Sequence, residues 1–398
     1  MAPAVLVVCS ALALVPGRVS AAPQEEVFEE VDPYTEGDPA VLGYVSYGPF
    51  PWAKGHTSNE VEDTVGATSI LFLETEHFRI ASTLESYQPQ GDRVEKEHLE
   101  KDFALLKKKI RRFKPPTKLD PWLRAHIYAQ RLEAQYADFR DRFGFTDEEF
   151  APEAQTEDGP KLGGPFLGQK SKHTVLLSQT QAGLGRYLER YIGHSNEYSY
   201  RWSFGDCYFL GINQEGQIHI GRELDICLHV ALSATLALNL VESFRGTGHE
   251  SPLWFRFGLS HYYARRVDPR WNVWGAGGHS NWEVDRQWVW EPRIRGLVEN
   301  EAVTSWRDML SWTARDQVKA RDHMIAWSRV RWLLEEEPDG LRALILGLTD
   351  PLQGETPQEK AASSLAHQLA AFEAAYGKTP EELEKEWARH VRRKYAKK

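Results

Sequence analysis

Residues 222–266 constrain the fold more than any other stretch of this chain. From Leu224 to Phe244 the apolar residues recur mostly at three- and four-residue spacing, which predicts a helix that two glycines then end. Pro252 follows near the start of a second predicted helix, where its missing N–H is harmless. A helix this apolar is normally buried, so Asp225 and His229 on it need partners or shifted pKa values. We therefore expect the molecule to be built around a buried helix pair.

Each predicted helix carries a motif. The first reads His229-Val-Ala-Leu-Ser233, and the second reads Trp254-Phe-Arg-Phe-Gly-Leu-Ser-His-Tyr262. Together they resemble the active-site helices of gluzincin metallopeptidases, the peptidase MA-like group, whose motifs are H-E-x-x-H and W-x-x-E-G-x-A-x-Y. In that family two histidines and the second-helix glutamate bind zinc, and the first-helix glutamate is the general base. The resemblance implies the family's fold.

Three motif positions depart from the family's chemistry. His229 matches the first zinc ligand, but Val230 replaces the catalytic glutamate, Ser233 the second histidine and Phe257 the glutamate ligand. Zinc-dependent hydrolysis needs about three protein ligands and a bound water. We therefore predict no catalytic residue and no cofactor. The expected function is that of a pseudoenzyme, a metallopeptidase homologue that binds a peptide, a protein or an envelope component in the former cleft.

Two other arrangements of the same residues stay open at this stage. A rewired zinc site could combine His229 with His261 on the second helix and with Asp225 or Glu242, which would make the protein a hydrolase. Asp225, His229 and Ser233 also fall at i, i+4 and i+8, as a Ser–His–Asp set or as a hydrogen-bonded stripe. A buried helix seldom supplies an exposed nucleophile and an oxyanion hole, which favours the stripe.

The remaining chain predicts an α+β fold in which a small mixed sheet packs on the central helix pair and an all-helical region follows. Predicted strands cover 69–73, 77–82, 123–129 and 174–178, with a hairpin formed by 208–212 and 217–220. Predicted helices cover 94–113, 132–143 and 181–192. This order, the sequence from Thr75 to Ile80, and the segments 326–334 and 370–395 also resemble secreted bacterial gluzincins, so the resemblance covers about 68–398.

The N-terminus predicts export. The apolar run 4–15 and small residues before Ala22 are typical of a cleaved signal peptide at 1–21. Residues 22–67 are acidic and rich in Pro and Gly, which predicts a solvated arm, and their aromatic residues suggest that parts of it dock on the body. The domain-like part would then comprise 68–270 and a helical subdomain at 271–398. We expect a secreted or periplasmic protein without a transmembrane segment once the signal is removed.

Composition and cysteines limit the partners. A formal net charge of −9 gives no reason to expect nucleic acid. Cys207 and Cys227 either form one disulfide or stay as buried thiols. A tryptophan-rich segment suggests a ligand groove, although tryptophan serves core packing equally well. The candidate groove residues are Asp225, Trp254, Tyr262, Trp271, Trp274 and Trp282.

Overall fold

A computed structural model describes most of the chain, and it confirms the α+β class. The described residues are 26–53, 55–151, 163–194, 199–218, 224–244, 251–271, 289–349 and 356–396. The predicted signal peptide lies outside them.

The sheet is mixed. A short hairpin near the N-terminus consists of β1 (Pro51–Ala53) and β2 (His56–Thr57). The main sheet has the order β3-β4-β5-β7-β6, with the bounds β3 (Leu71–Glu74), β4 (Phe78–Ser82), β5 (His173–Ser178), β6 (Tyr200–Ser203) and β7 (Tyr208–Asn213). The central pairs β4–β5 and β5–β7 are parallel, and both edge strands run antiparallel to their neighbours.

Helices surround the sheet and make up the C-terminal half. Their bounds are α1 (Ser58–Val65), α2 (Arg93–Lys109), α3 (Pro121–Arg142), α4 (Gln181–Ile192), α5 (Glu215–Ile218), α6 (Asp225–Ser243), α7 (Leu253–Val267), α8 (Glu291–Glu299), α9 (Trp306–Leu310), α10 (Ala320–Glu336), α11 (Leu341–Leu348), α12 (Pro357–Tyr376) and α13 (Pro380–Lys394). Asp92 and Asp120 cap α2 and α3 by accepting hydrogen bonds from backbone N–H groups of the first turn.

The predicted helix pair, α6 and α7, lies at the centre. Every residue of α6 is buried, against β7, α3 and α7. On its other side α7 packs on α10, and Gly258 permits this close approach. A Cβ atom there would lie 2.4 Å from Cγ2 of Val330 and 2.6 Å from the carbonyl oxygen of Ala326.

Helix α6 is also long and apolar enough to cross a membrane by length and composition alone. The whole tested window is buried inside the protein, which is the situation of a core helix.

Two sequence predictions of strands are wrong. Residues 123–129 belong to the 22-residue helix α3, which Asp120 caps and Pro121 begins. A short, fully buried apolar run has no periodicity that separates strand from helix. The segment 217–220 does not pair with β7 in its described part, because residues up to Ile218 form α5. The partner of β7 is instead β6.

Residues 26–53 and 55–66 pack on the body of the protein, as their aromatic residues indicate, and do not form the solvated arm that their acidic composition predicts. Trp52 is fully buried, and Asp32 lies 3.1 Å from the imidazole of His126 with both side chains completely enclosed. This contact with His126 holds the pKa of Asp32 at about 2 against the opposing effect of burial. Composition predicted solvent exposure because the acidic residues outnumber the aromatic ones. The tyrosines and Trp52 nevertheless bury enough apolar surface to order the segment.

Candidate functional site

The candidate site is a cavity of about 460 Å³ between four helices. We call it the His229 cavity. It is lined by residues of α2, α3, α6 and α7, among them His98, Arg131, His229 and Tyr263. No residue of 26–66 is among its lining residues, so the N-terminal segment does not cover it in the described part of the chain.

A chain of buried ion pairs forms the floor of this cavity. Arg131 donates to one carboxylate oxygen of Asp102 through Nε at 3.1 Å and Nη2 at 2.8 Å. Its Nη1 lies 3.7 Å from Asp225, which accepts hydrogen bonds from Arg124 at 2.5 Å and from the hydroxyl of Tyr128 at 2.8 Å. Arg131 therefore bridges a carboxylate on α2 and one on α6, and its guanidinium has a fixed position.

His229 is a neutral side chain at the wall of the cavity. Only 7% of the residue is exposed, and its ring meets that of His98 edge-on with the centroids 5.2 Å apart. Burial, with Arg131 and His98 close by, holds the pKa of His229 well below its usual value. Its Nδ1 has no hydrogen-bond partner among the described residues.

The other motif positions do not complete a zinc site around His229. Val230 is fully buried in an apolar cluster with Ala264 and Trp271. Phe257 lies in the main core, and its ring centroid is 4.5 Å from that of His323. Ser233 lines the cavity, where its backbone carbonyl accepts a hydrogen bond from Gln135. A phenylalanine cannot coordinate a metal and a valine cannot act as the general base, so these positions do not fit the zinc chemistry that the resemblance implies.

His261, the second candidate ligand, belongs to another part of the molecule. Its Nε2 lies 3.0 Å from Nδ1 of His323 on α10, and its ring contacts Trp290. It does not line the His229 cavity. Glu242 likewise pairs with Arg201 and Arg256. Among the described residues no group of three or more His, Cys, Asp or Glu side chains is arranged to hold a metal ion.

The stripe Asp225, His229 and Ser233 faces α3 and the cavity, but its members do not bond to one another. Asp225 bonds to Arg124 and Tyr128, and Ser233 contacts Gln135 through its main chain. No Ser–His or His–Asp hydrogen bond joins these three described residues, so the arrangement lacks the relay that a catalytic triad requires.

The candidate groove is not formed by its described members. Trp254 is fully buried and donates from its indole nitrogen to Gln368 at 2.8 Å. Tyr262, Trp271 and Asp225 are also buried, with 2%, 3% and 2% of each residue exposed. They hold the core together and leave no surface for a ligand. Trp274 and Trp282 lie outside the described residues.

Of the two alternatives for the cysteines, the structure has the second, since Cys207 and Cys227 are both free and buried. Cys207 packs with Trp52 and Phe209, whereas Cys227 lies in the separate cluster of Leu224 and Val230. Burial raises the pKa of the Cys207 thiol to about 12 and also raises that of Cys227 strongly, so both are poor nucleophiles.

Sequence reasoning missed the residues of α2 and α3 that line the cavity: His98, Lys101, Asp102, Gln130, Arg131 and Asp138. On α2 the spacing of His98, Lys101, Asp102 and Leu105 does match one helical face. However, a polar face opposite an apolar one is what any solvated helix shows, so no local signal separated a pocket wall from a surface.

Comparison with known proteins adds no relative to this description. No family model matches the chain, and no curated protein or solved structure matches it.

Proposed function

We propose that the protein is a secreted, non-catalytic homologue of zinc metallopeptidases that binds a peptide or protein ligand, or an envelope component, in the His229 cavity. The observation that carries this proposal is the cavity itself. It is lined by His229, the residue at the first zinc-ligand position of the motif, while the base and glutamate-ligand positions hold the core residues Val230 and Phe257.

The size and lining of the cavity support a ligand rather than a reaction. About 460 Å³ lies within the range of small-molecule and peptide side-chain pockets. Apolar walls from Leu105, Tyr263 and Val267 stand beside fixed polar groups, an arrangement that orients a ligand by a few polar contacts. The alternative, a hydrolase that uses His229 and His261, has less support because His261 bonds to His323.

Two measurements test this proposal. The first is the metal content of the purified mature protein, with His229→Ala as the control. We expect no zinc and the same melting temperature in chelator. Stoichiometric zinc that disappears in His229→Ala would overturn the non-catalytic reading.

The second measurement is binding to an array of random peptides. Ala134 is exposed and lines the cavity, so Ala134→Trp should fill it without disturbing the core and should abolish specific binding. Ala104→Trp is the matched control, because Ala104 is equally exposed but lines a different groove, between α2 and residues 115–117. Loss of binding in the control alone would place the ligand elsewhere and contradict the proposal.

A further inference from the structure

The hydrogen-bonding groups left without partners in the His229 cavity are informative about its ligand. Three lining side chains carry buried nitrogen atoms with no hydrogen-bond partner among the described residues: Nε2 of Gln130, Nη1 of Arg131 and Nδ1 of His229. A buried polar group without a hydrogen-bond partner destabilises the folded state, so three around one cavity call for an explanation.

The two carboxylates that line the cavity, in contrast, already accept hydrogen bonds from protein donors. Asp138 accepts from Arg142, from Arg266 and from the hydroxyl of Tyr263. Asp102 accepts twice from Arg131. A cation entering the cavity would therefore have to compete with arginines for both carboxylates.

The positively charged side chains of the cavity have fewer hydrogen-bond and ion-pair partners than its carboxylates have. Lys101 lines the cavity and makes no ion pair or hydrogen bond within the described chain. The nearest carboxylate to Nη1 of Arg131 is Asp225 at 3.7 Å, too far for a hydrogen bond. With Lys101, Arg131 and Arg266 against Asp102 and Asp138, the lining has one more positive than negative charge.

From these contacts we infer that the cavity binds a carboxylate, that of an acidic residue in a peptide ligand. This inference rests on the proposed function and names its ligand chemistry. Lys101 and Arg131 supply the charge, and Gln130 and His229 supply further donors after small side-chain rotations. An excess of one positive charge matches a monoanion, and the apolar walls suit a carboxylate attached to a carbon chain rather than an inorganic anion.

The test compares two blocked tripeptides on the mature full-length protein, acetyl-Ala-Glu-Ala-amide and its isostere acetyl-Ala-Gln-Ala-amide, by NMR titration. The two probes have nearly the same shape and differ in charge. A hydrogen bond to a charged group contributes about 1.5–3 kcal/mol, so the glutamate peptide should bind roughly tenfold or more tightly. Ala134→Trp should abolish binding of both.

Lys101→Gln should remove most of the preference, because it deletes an exposed cation that holds no other part of the fold. Lys108→Gln is the matched control, since Lys108 is an exposed lysine of the same helix that does not line the cavity. Lys101→Gln leaves the ion pairs of Arg131 intact. A lost preference for the glutamate peptide could therefore not be attributed to unfolding.

Several outcomes would overturn the inference. Equal affinity for the two peptides would refute carboxylate recognition while leaving the proposed peptide-binding function intact. If neither peptide binds while the peptide array still shows specific binding, carboxylate recognition would also be refuted and the proposed peptide-binding function would stand. Tighter binding of inorganic phosphate would show a general anion site, and tighter binding of free glutarate would refute a peptide as the source of the carboxylate.

Discussion

The two sides of the α6–α7 pair are stabilised by different kinds of interaction. On the His229 side, buried ion pairs link α2, α3 and α6, and a cavity remains between them. On the His261 side, α7 packs on α10 around the imidazoles of His261 and His323. There the guanidinium of Arg265 lies 3.8 Å from the centre of the Trp290 ring. The α6–α7 pair is thus packed against α10 on one side and held by ion pairs on the other, and the His229 cavity lies on the side of the ion pairs.

The largest expected effect is that of Asp225→Ala, which removes a buried ion pair on the His229 side of the α6–α7 pair. The substitution leaves Arg124 buried without its carboxylate, and breaking a buried pair in this way typically costs about 3–5 kcal/mol. Urea unfolding followed by circular dichroism measures the change. The matched control is Arg93→Ala, which removes an exposed ion pair on α2 and should cost no more than about 0.5 kcal/mol. A similar small loss for both variants would contradict the structural role of Asp225.

The next effect is a loss of stability in acid, to which one buried histidine on each side of the α6–α7 pair contributes. Burial lowers the pKa of His323 to about 4 and that of His229 well below its usual value. The unfolded chain therefore binds more protons than the folded one below about pH 6.5, and stability is complete above that pH. As the pH falls toward 4, each histidine should lower the free energy of unfolding by about 1.4 kcal/mol per pH unit.

Two variants sharpen this test. His229→Gln and His323→Gln should both reduce the slope of stability against pH. At pH 8, however, His323→Gln should cost about 1 kcal/mol, because it disturbs the bond to His261, whereas His229→Gln should cost less. Equal losses of stability for the two variants at pH 8 would mean that Nδ1 of His229 has a hydrogen-bond partner in the folded protein. This atom would then not count among the unsatisfied nitrogen atoms of the cavity.

The smallest expected effect is that of a reducing agent, which tests whether Cys227 on α6 forms a disulfide. Because the cysteines are free and in separate clusters, a reducing agent should leave the melting temperature unchanged within about 1 °C. Native protein should also react with a thiol reagent only after unfolding, since both thiols are buried. A decrease in melting temperature on reduction would show that a bridge forms in the purified protein.

The sequence alone determined the features that depend on hydrophobic periodicity and on the residues that begin or end each helix and strand. The helix α6, from its three- and four-residue spacing, and the strands β3 and β4 were predicted and are present. These features depend on residues close in the chain, so a single sequence contains the information. The chemistry available at positions 230 and 257 was likewise readable, because a valine cannot act as a general base and a phenylalanine cannot coordinate a metal in any fold.

Tertiary structure alone decided what surrounds those positions. Whether Leu123 to Ala129 forms a strand or a helix depended on burial on all sides, which hides the periodicity. The partners of His229 and His261 come from α2, α3 and α10, up to 131 residues away in sequence for His229. The buried N-terminal segment similarly needed His126 for Asp32 and Tyr187 for Trp52. Contacts at such separations are set by the packing of whole helices, and no local pattern encodes which polar groups will be left unsatisfied.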